Sequence, residues 1–121
     1  MRDLYILPTT KTPEIDFRKK GILNITGNSY PENVNQFYGE IMIWLDQFLE
    51  LNTDTISINV DLTYINTSST KAILNIISKV NAAAKSKINI SWIYEIEDDD
   101  MYVAGKDFEK LSKLKFDFIE K

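Results

Sequence analysis

The feature that most constrains the fold is a change of hydrophobic period in the middle of the chain. Every second residue of the stretch 55–65 is apolar: Ile56, Ile58, Val60 and Leu62. The apolar spacing then becomes helical: Ile73, Ile76, Ile77, Val80 and Ala84. Alternation returns in a third stretch: Ile88, Ile90, Trp92 and Tyr94. Strand, helix and strand with short links predict a βαβ unit, in which the two strands are parallel and the crossover is right-handed.

The first 51 residues predict strands and one long helix. Leu4 and Ile6 suggest a short edge strand, and alternating apolar residues on both sides of 18–21 predict a hairpin. Gly21 supplies the positive φ that such a turn requires. Ser29 and Glu32 have the spacing of a capping box. Apolar residues at helical spacing, Phe37, Ile41, Trp44, Leu45, Phe48 and Leu49, then predict a helix that ends near residue 51.

The C-terminal segment predicts one further helix and a last strand. The helix is marked by Ala104, Phe108 and Leu111, and the strand by Leu114, Phe116 and Phe118. The aromatic side chains Trp44, Trp92 and Phe108 fall at core-facing positions of their elements. We therefore expect a single α/β domain over residues 1–121, with a mixed, mostly parallel β-sheet and helices packed mainly on one face.

Composition excludes several classes of function. The 121 residues include no cysteine, which removes disulfides and thiolate metal sites, and no histidine, which removes the commonest general base near neutral pH. The net charge of −4 and the scattered basic residues argue against a nucleic-acid partner. No apolar run approaches the ~18 residues of a membrane span, and the first residues do not resemble a signal peptide. These features predict a cytoplasmic protein without membrane insertion.

Other candidate sites have simple structural explanations. No glycine-rich phosphate loop is present, so the sequence predicts no nucleotide cofactor. The acidic run 95–100 matches no calcium loop. Asp98–Asp100 are better explained as the cap and first turn of the following helix, where carboxylates favour the positive end of the helix dipole. Lys71 is expected to be a solvated lysine and not a catalytic base. We predict neither a metal nor a cofactor.

Small polar residues, Asn66-Thr67-Ser68-Ser69, stand between the first βαβ strand and its helix. Asn66 or Thr67 falls at the N-cap, where a side-chain oxygen accepts an N–H that would otherwise be unpaired. A cap explains one such residue but not three consecutive hydroxyls. The same position also suits an anion, because free N–H groups and the helix dipole favour negative charge. From spacing alone the cap is the simpler interpretation, and a phosphorylation switch at Thr67 stays open.

The layout resembles STAS domains, the fold of the anti-sigma-factor antagonists. In that family an Asp-Ser-Ser-Gly motif stands at this strand-to-helix junction, and its first serine is reversibly phosphorylated. The segment 66–69 falls on that motif, with Thr67 at the phosphorylated position. Asn66 and Ser69 depart from the usual aspartate and glycine. The resemblance implies a STAS-like regulatory domain of an unusual kind.

The chain resembles the SiaC family of bacterial regulatory phosphoproteins more closely. The resemblance rests on Ser29-Tyr30-Pro31-Glu32-Asn33, on Phe37 and Trp44, and on residues 64–72, read as YINTSSTKA. It continues through Trp92-Ile93-Tyr94 and the acidic run to Met101 and Ala104-Gly105. It covers nearly the whole chain, and no general rule of folding requires these segments together.

This resemblance implies a non-enzymatic regulator in partner-switching signal transduction. In the family, a threonine of the Asn-Thr-Ser-Ser segment is phosphorylated by a Ser/Thr kinase of the anti-sigma type and dephosphorylated by a PP2C-type phosphatase. The unphosphorylated form binds and activates a GGDEF diguanylate cyclase, which raises cyclic di-GMP and favours aggregation or biofilm. Carried over to this chain, the phosphorylated residue is Thr67.

The predicted partner-binding residues surround that threonine. They are Asn66, Ser68, Ser69 and Lys71, with Tyr30 and Asn33 from the segment before the first helix. We expect the protein to be a monomer when alone. Two alternatives stay open: an anti-sigma-factor antagonist, which would use the same surface for a different partner, and a small-ligand protein or enzyme that uses the hydroxyl cluster.

Overall fold

All six strands of the chain join one sheet, in which they lie side by side in their order along the chain. The computed structural model describes all 121 residues. The elements are β1 (Leu4–Ile6), β2 (Glu14–Arg18), β3 (Ile22–Ser29), α1 (Val34–Leu51), β4 (Ile56–Ile65), α2 (Thr67–Ala83), β5 (Ile88–Tyr94), α3 (Asp99–Ser112) and β6 (Asp117–Glu120). None of the three helices combines the length and hydropathy that crossing a membrane requires.

The sheet is mixed, with antiparallel pairing at one side and parallel pairing at the other. Strands β1, β2 and β3 pair antiparallel, and β3, β4, β5 and β6 pair parallel. Each parallel step moves one strand further in the same direction and is bridged by one helix. Right-handed crossovers that all step in one direction place their helices on one face. The predicted mixed, mostly parallel sheet with helices on one face is confirmed.

Burial along the strands shows which face the helices cover. In β4 the alternate residues Ile56, Ile58, Val60 and Leu62 are buried. The residues between them point to the opposite face and are only half-buried. On that face Asn59 Nδ2 donates to Asn24 Oδ1 over 2.8 Å. The alternation read from the sequence therefore identifies the core side of the sheet correctly.

The capping box predicted at Ser29 and Glu32 is wrong. Ser29 is the last residue of β3 and pairs with Ile65 of β4. Helix α1 begins later, at Val34, and its cap is Asn33, whose side chain accepts from the backbone N–H of Gln36 over 3.0 Å. Pairing in the sheet holds Ser29 extended, so the helix starts only after the chain has left the strand.

The aromatic side chains divide into a buried pair and a half-buried one. Trp92 and Phe108 are fully buried, as predicted. Trp44 is only half-buried: its ring stacks on Phe48 with centroids 5.0 Å apart, and its indole N–H donates to the carbonyl of Arg2 over 2.8 Å. The prediction of a core position for Trp44 was therefore too strong, because the N-terminal segment covers only part of the ring.

Helix α3 lies close to β5 through one glycine. A Cβ on Gly105 would lie 2.4 Å from Cδ1 of Trp92, closer than real Cβ atoms approach. The Trp92 indole N–H donates to the carbonyl of Met101 over 2.9 Å. The last strand is shorter than the apolar pattern suggested, because β6 begins only at Asp117. Leu111, which helped to mark α3 in the sequence, lies on the exposed side of that helix.

Candidate functional site

The parallel strands β3, β4 and β5 all end at one edge of the sheet, and the three helices start there. The caps of α1, α2 and α3 are Asn33, Asn66 and Asp98. The predicted site falls on the second of these starts, which we call the α2 junction (residues 64–71). The candidate residues therefore stand where free backbone N–H groups of a helix face solvent.

Asn66 is the cap of α2. Its side-chain Oδ1 accepts from the backbone N–H of Ser69 over 2.9 Å, and its own N–H donates to the carbonyl of Ser29 over 3.0 Å. The first turn of the helix contains no acidic residue. Asn66 thus caps the helix without help from the three hydroxyl residues that follow it, so the cap does not explain their presence.

Those hydroxyls and that of Thr70 differ sharply in exposure and bonding. Thr67 is exposed, and its hydroxyl makes no hydrogen bond within the chain. Ser68 is exposed but donates weakly to Asn66 Oδ1 over 3.3 Å. Ser69 is fully buried, and the half-buried Thr70 donates to the carbonyl of Asn66 over 3.0 Å. Thr67 is the one hydroxyl of the four that is both exposed and unbonded.

Ser69 takes part in a buried hydroxyl cluster, defined by Ser29, Tyr38 and Ser69. Ser29 Oγ lies 2.5 Å from the Tyr38 hydroxyl oxygen and donates to Ser69 Oγ over 2.8 Å. These contacts join β3, α1 and α2 behind the α2 junction. Burial raises the pKa of Tyr38 to about 12, so its hydroxyl stays protonated at physiological pH.

This burial corrects one prediction. Ser69 was expected on the partner-binding surface, but its exposed fraction is 0%. Counting from Ser69, Thr67 lies two residues back along the helix and therefore points roughly to the opposite side. The hydroxyl cluster explains why a serine is tolerated at this buried position. Its side chain has hydroxyl neighbours to bond with, and these contacts anchor α2.

A bulge shapes the strand that leads into the junction. The β3–β4 pairing shifts by one residue between Gly27 and Asn28, and Gly27 has a φ of +120°. Beyond the bulge Tyr64 is 53% exposed, and its ring meets Tyr30 edge-on with centroids 5.5 Å apart. Tyr30 therefore contacts the first residue of the α2 junction, and its predicted role in partner binding stays a prediction.

The other predicted residues lie at more scattered positions. Lys71 is exposed and makes no ion pair, and it lines a groove between α1 and α2 together with Ser68. Asn33 is exposed, but it lines a different depression with Lys11 and Glu32. The structure thus brings Lys71 and Ser68 together and leaves Asn33 outside that groove.

The acidic run acts as the predicted cap. Asp98 accepts from the backbone N–H of Met101 over 3.0 Å, and Asp99 and Asp100 stand in the first turn of α3. No group of three or more acidic side chains in the structure is arranged to hold a metal ion.

The chain does not activate the Thr67 hydroxyl itself. No carboxylate or amine is hydrogen-bonded to it, so the chain supplies no general base at this position. The backbone N–H groups of Thr67 and Ser68 have no partner within the chain and remain available to an anion.

Sequence reasoning missed two parts of this site. The hydroxyl cluster requires Tyr38 of α1 and Ser29 of β3 to meet Ser69, and no sequence pattern predicts that meeting. The bulge had a detectable signal, because Gly27 interrupts a strand pattern and such glycines often mark bulges. Tyr64 lay within the recognised segment without being assigned a role.

Comparison with known proteins agrees with this layout. The profile of the family described as "SiaC family regulatory phosphoprotein" matches residues 6–121. An uncharacterized protein of Pseudomonas aeruginosa (strain UCBPP-PA14) is 29% identical over 119 residues, covering 96% of this chain and 94% of that protein.

Solved structures give the same result. The crystal structure of apo-SiaC from Pseudomonas aeruginosa matches with a TM-score of 0.89 and 28% identity, over 98% of this chain and 99% of that one. A chain in the crystal structure of the diguanylate cyclase SiaD in complex with its activator SiaC, from the same organism, matches with a TM-score of 0.90 and 27% identity, over 98% and 100%. The family resemblance read from the sequence is confirmed, and the chain belongs to the SiaC family of regulatory phosphoproteins.

Proposed function

We propose that this chain is a non-enzymatic phosphorylation switch, with residues 1–121 acting as one cytoplasmic regulatory domain that is monomeric when alone. In its unphosphorylated form it binds and activates a GGDEF diguanylate cyclase. A Ser/Thr kinase of the anti-sigma type phosphorylates Thr67, and a PP2C-type phosphatase removes the phosphate. The cyclase partner is inferred from the similar SiaC chain, which is the activator of SiaD in the crystal structure of their complex.

The observation that carries the proposal is the state of the Thr67 hydroxyl. It is exposed and unbonded at the first position of α2, whereas Ser69 is buried and Thr70 is bonded to the backbone. A kinase can reach Thr67 without unfolding the helix. The unpaired N–H groups and the positive end of the helix dipole favour the negative charge that phosphorylation adds.

Phosphorylation at this position opposes binding through solvation. A phosphate adds about 1.5–2 negative charges and three acceptor oxygens. A partner that packs over the α2 junction must then remove water from that group, and the single positive charge of Lys71 balances only part of its charge, so the desolvation is costly. The surface that binds the cyclase would consist of Thr67, Asn66, Ser68 and Lys71, with Tyr30 beside them.

The test is a binding titration of purified variants against the cognate cyclase. Thr67→Ala should bind as wild type does, Thr67→Glu should bind more weakly, and the phosphoprotein most weakly, because a carboxylate carries less charge than phosphate. Ser78→Glu is the matched control, since Ser78 is an exposed residue of the same helix and receives the same charge away from the junction. Equal affinity of Thr67→Glu and Thr67→Ala would contradict the proposal.

An anti-sigma-factor antagonist would use the same surface, so only the partner distinguishes it. The family match and the SiaD complex favour the cyclase. Titrating the unphosphorylated protein against the cyclase and against the kinase separates the two, because an activator binds the cyclase and raises its cyclic di-GMP output.

A further inference from the structure

A groove runs between the first halves of α1 and α2, directly beside the α2 junction. It measures about 290 Å³ and is open to solvent. From α1 it is lined by Val34, Asn35, Tyr38, Gly39 and Met42, and from α2 by Ser68, Lys71, Ala72 and Asn75. Ser68 and Lys71 therefore belong both to this α1–α2 groove and to the junction that carries Thr67.

The packing and backbone of this chain do not require a glycine at position 39, which lies in the groove. The other three glycines are required by the fold: Gly21 and Gly27 have positive φ, and a side chain on Gly105 would collide with Trp92. A Cβ on Gly39 would meet no atom within 4 Å. Glycine inside a helix is destabilising relative to alanine, so the fold alone gains nothing from this residue. The absence of a side chain keeps the groove open.

We propose that the α1–α2 groove receives an uncharged apolar side chain of the protein that covers Thr67, and that Gly39 makes the room for it. This inference rests on the proposed function, in which that protein is the diguanylate cyclase. A partner that packs over Thr67 and Ser68 continues into the groove without leaving its lining.

The chemistry of the lining suits such an anchor. Val34, Met42 and Ala72 offer partly buried apolar surface, and a methionine adapts its shape to an incoming side chain. Amide, hydroxyl and amine groups of Asn35, Asn75, Ser68 and Lys71 form a polar rim, and no carboxylate lines the groove. Protein interfaces commonly have a central apolar anchor residue, which contributes most of the binding energy, surrounded by a polar rim.

The groove also links the anchor to the switch. Its rim contains Ser68, the neighbour of Thr67, so a phosphate on Thr67 would place its charge and its hydration shell at the edge of the anchor site. To insert an apolar side chain into the groove, the partner would then also have to displace the water bound to the phosphate. Phosphorylation of Thr67 would therefore weaken the contact between the groove and the partner's apolar side chain.

The test uses Gly39→Ala and Gly39→Leu in the full chain. Because the added Cβ meets no atom, Gly39→Ala should melt at a higher temperature than wild type, and Gly39→Leu should remain folded by circular dichroism. Both should bind the cyclase more weakly, Gly39→Leu by about tenfold or more, because the added side chain occupies the anchor site. Ser78→Ala and Ser78→Leu, at an exposed position of α2, should leave binding unchanged.

The outcomes separate this inference from the proposed function. If wild-type protein binds no cyclase, the proposed function fails. If wild type binds and Gly39→Leu binds equally well, the proposed function stands and the inference is overturned. Self-association of wild-type protein that Gly39→Leu abolishes, seen by analytical ultracentrifugation, would assign the groove to a second copy and would also overturn it.

Discussion

Helices α2 and α3 start in the same way but with different chemistry. Both follow neighbouring parallel strands, and both use one side-chain oxygen as a cap: Asn66 accepts from the N–H of Ser69 over 2.9 Å and Asp98 from the N–H of Met101 over 3.0 Å. The α3 start is acidic, with further carboxylates in its first turn, whereas the first turn of α2 contains none.

The start of α3 has the composition that maximises helix stability. Carboxylates near a helix N-terminus each contribute about 0.3–1 kcal/mol, and α3 uses them. Helix α2 forgoes that stabilisation and keeps an unbonded hydroxyl at Thr67 in their place. A neutral start can change its charge on modification, which an acidic one has less room to do.

The two helices are also anchored differently. Helix α3 is held by aromatic packing, with Gly105 in close contact with Trp92. Helix α2 is held behind its junction by the hydroxyl cluster of Ser29, Tyr38 and Ser69. Hydroxyl contacts are weaker than aromatic burial, so variants at the two anchors should differ in magnitude.

The largest expected effect is at the α3 anchor. Trp92→Ala should lower the free energy of unfolding by about 3–5 kcal/mol, because a fully buried indole is lost and a cavity remains. Trp44→Ala is the matched control and should cost less, since Trp44 is only half-buried. Urea denaturation of both variants measures the difference. Equal losses would mean that the N-terminal segment, not α3, closes the core.

Next in size is the same substitution at two helical glycines. Gly105→Ala should destabilise the protein by about 1–3 kcal/mol, because the new methyl group collides with a rigid ring. Gly39→Ala should change stability in the opposite direction, by up to about 1 kcal/mol. Thermal unfolding of the pair gives both signs. A stabilising Gly105→Ala would show that α3 can move away from β5 without loss.

The hydroxyl cluster should make stability depend on pH. Tyr38 has its pKa raised to about 12 by burial, above the unfolded value of about 10. Its contribution is fully present below pH of about 10 and is lost as pH rises through about 12. Tyr38→Phe should cost about 1 kcal/mol at neutral pH through the lost hydrogen bond, yet lose less stability than wild type at high pH.

Chemical denaturation at a series of pH values compares the two proteins. The pKa of Tyr5 is also raised, chiefly by its hydrogen bond to Glu14, and that of Tyr94 by burial and by its hydrogen bond to Glu120, but both residues are common to the two proteins and cancel in the difference. Parallel curves for wild type and Tyr38→Phe would exclude the buried hydroxyl as the source.

The smallest effect comes from exchanging the caps. Asn66→Asp gives α2 the cap of α3 and should stabilise the protein by about 0.3–1 kcal/mol, and Asp98→Asn should cost a similar amount. The differences should shrink in high salt, because charge–dipole interactions at exposed sites are screened. Thermal unfolding at low and high salt measures this. If Asn66→Asp were destabilising, the α2 start would not be the favourable anion position assumed for phosphate.

Much of the fold could be predicted from the sequence, because the patterns that encode it are local. Period-2 and period-3.6 apolar patterns are local, so they predicted β4, α2 and β5 and the face that each buries. Cap identity was less accessible: Ser29 matched a capping box, but its pairing with Ile65 across the sheet overrode the local signal. Long-range pairing decides such cases, and one sequence does not reveal it.

The site was predictable only in its outer part. Thr67 and its neighbours follow one another in the chain and matched a family segment. The inward orientation of Ser69 and its hydrogen bond with Ser29, which also contacts Tyr38, depend on how three elements pack, so the sequence placed Ser69 on the wrong side. Gly39 carried no signal either, because a helical glycine is informative only once the space above it is known.

We propose that phosphorylation adds its negative charge to this protein at the neutral start of α2. Phosphopeptide mapping by mass spectrometry, on protein purified from its native host, tests it most directly. We expect phosphate on Thr67 and none on the buried Ser69, because only the Thr67 hydroxyl is both exposed and unbonded. Phosphate found only on Ser68 or Thr70, or on none of these four residues, would contradict it.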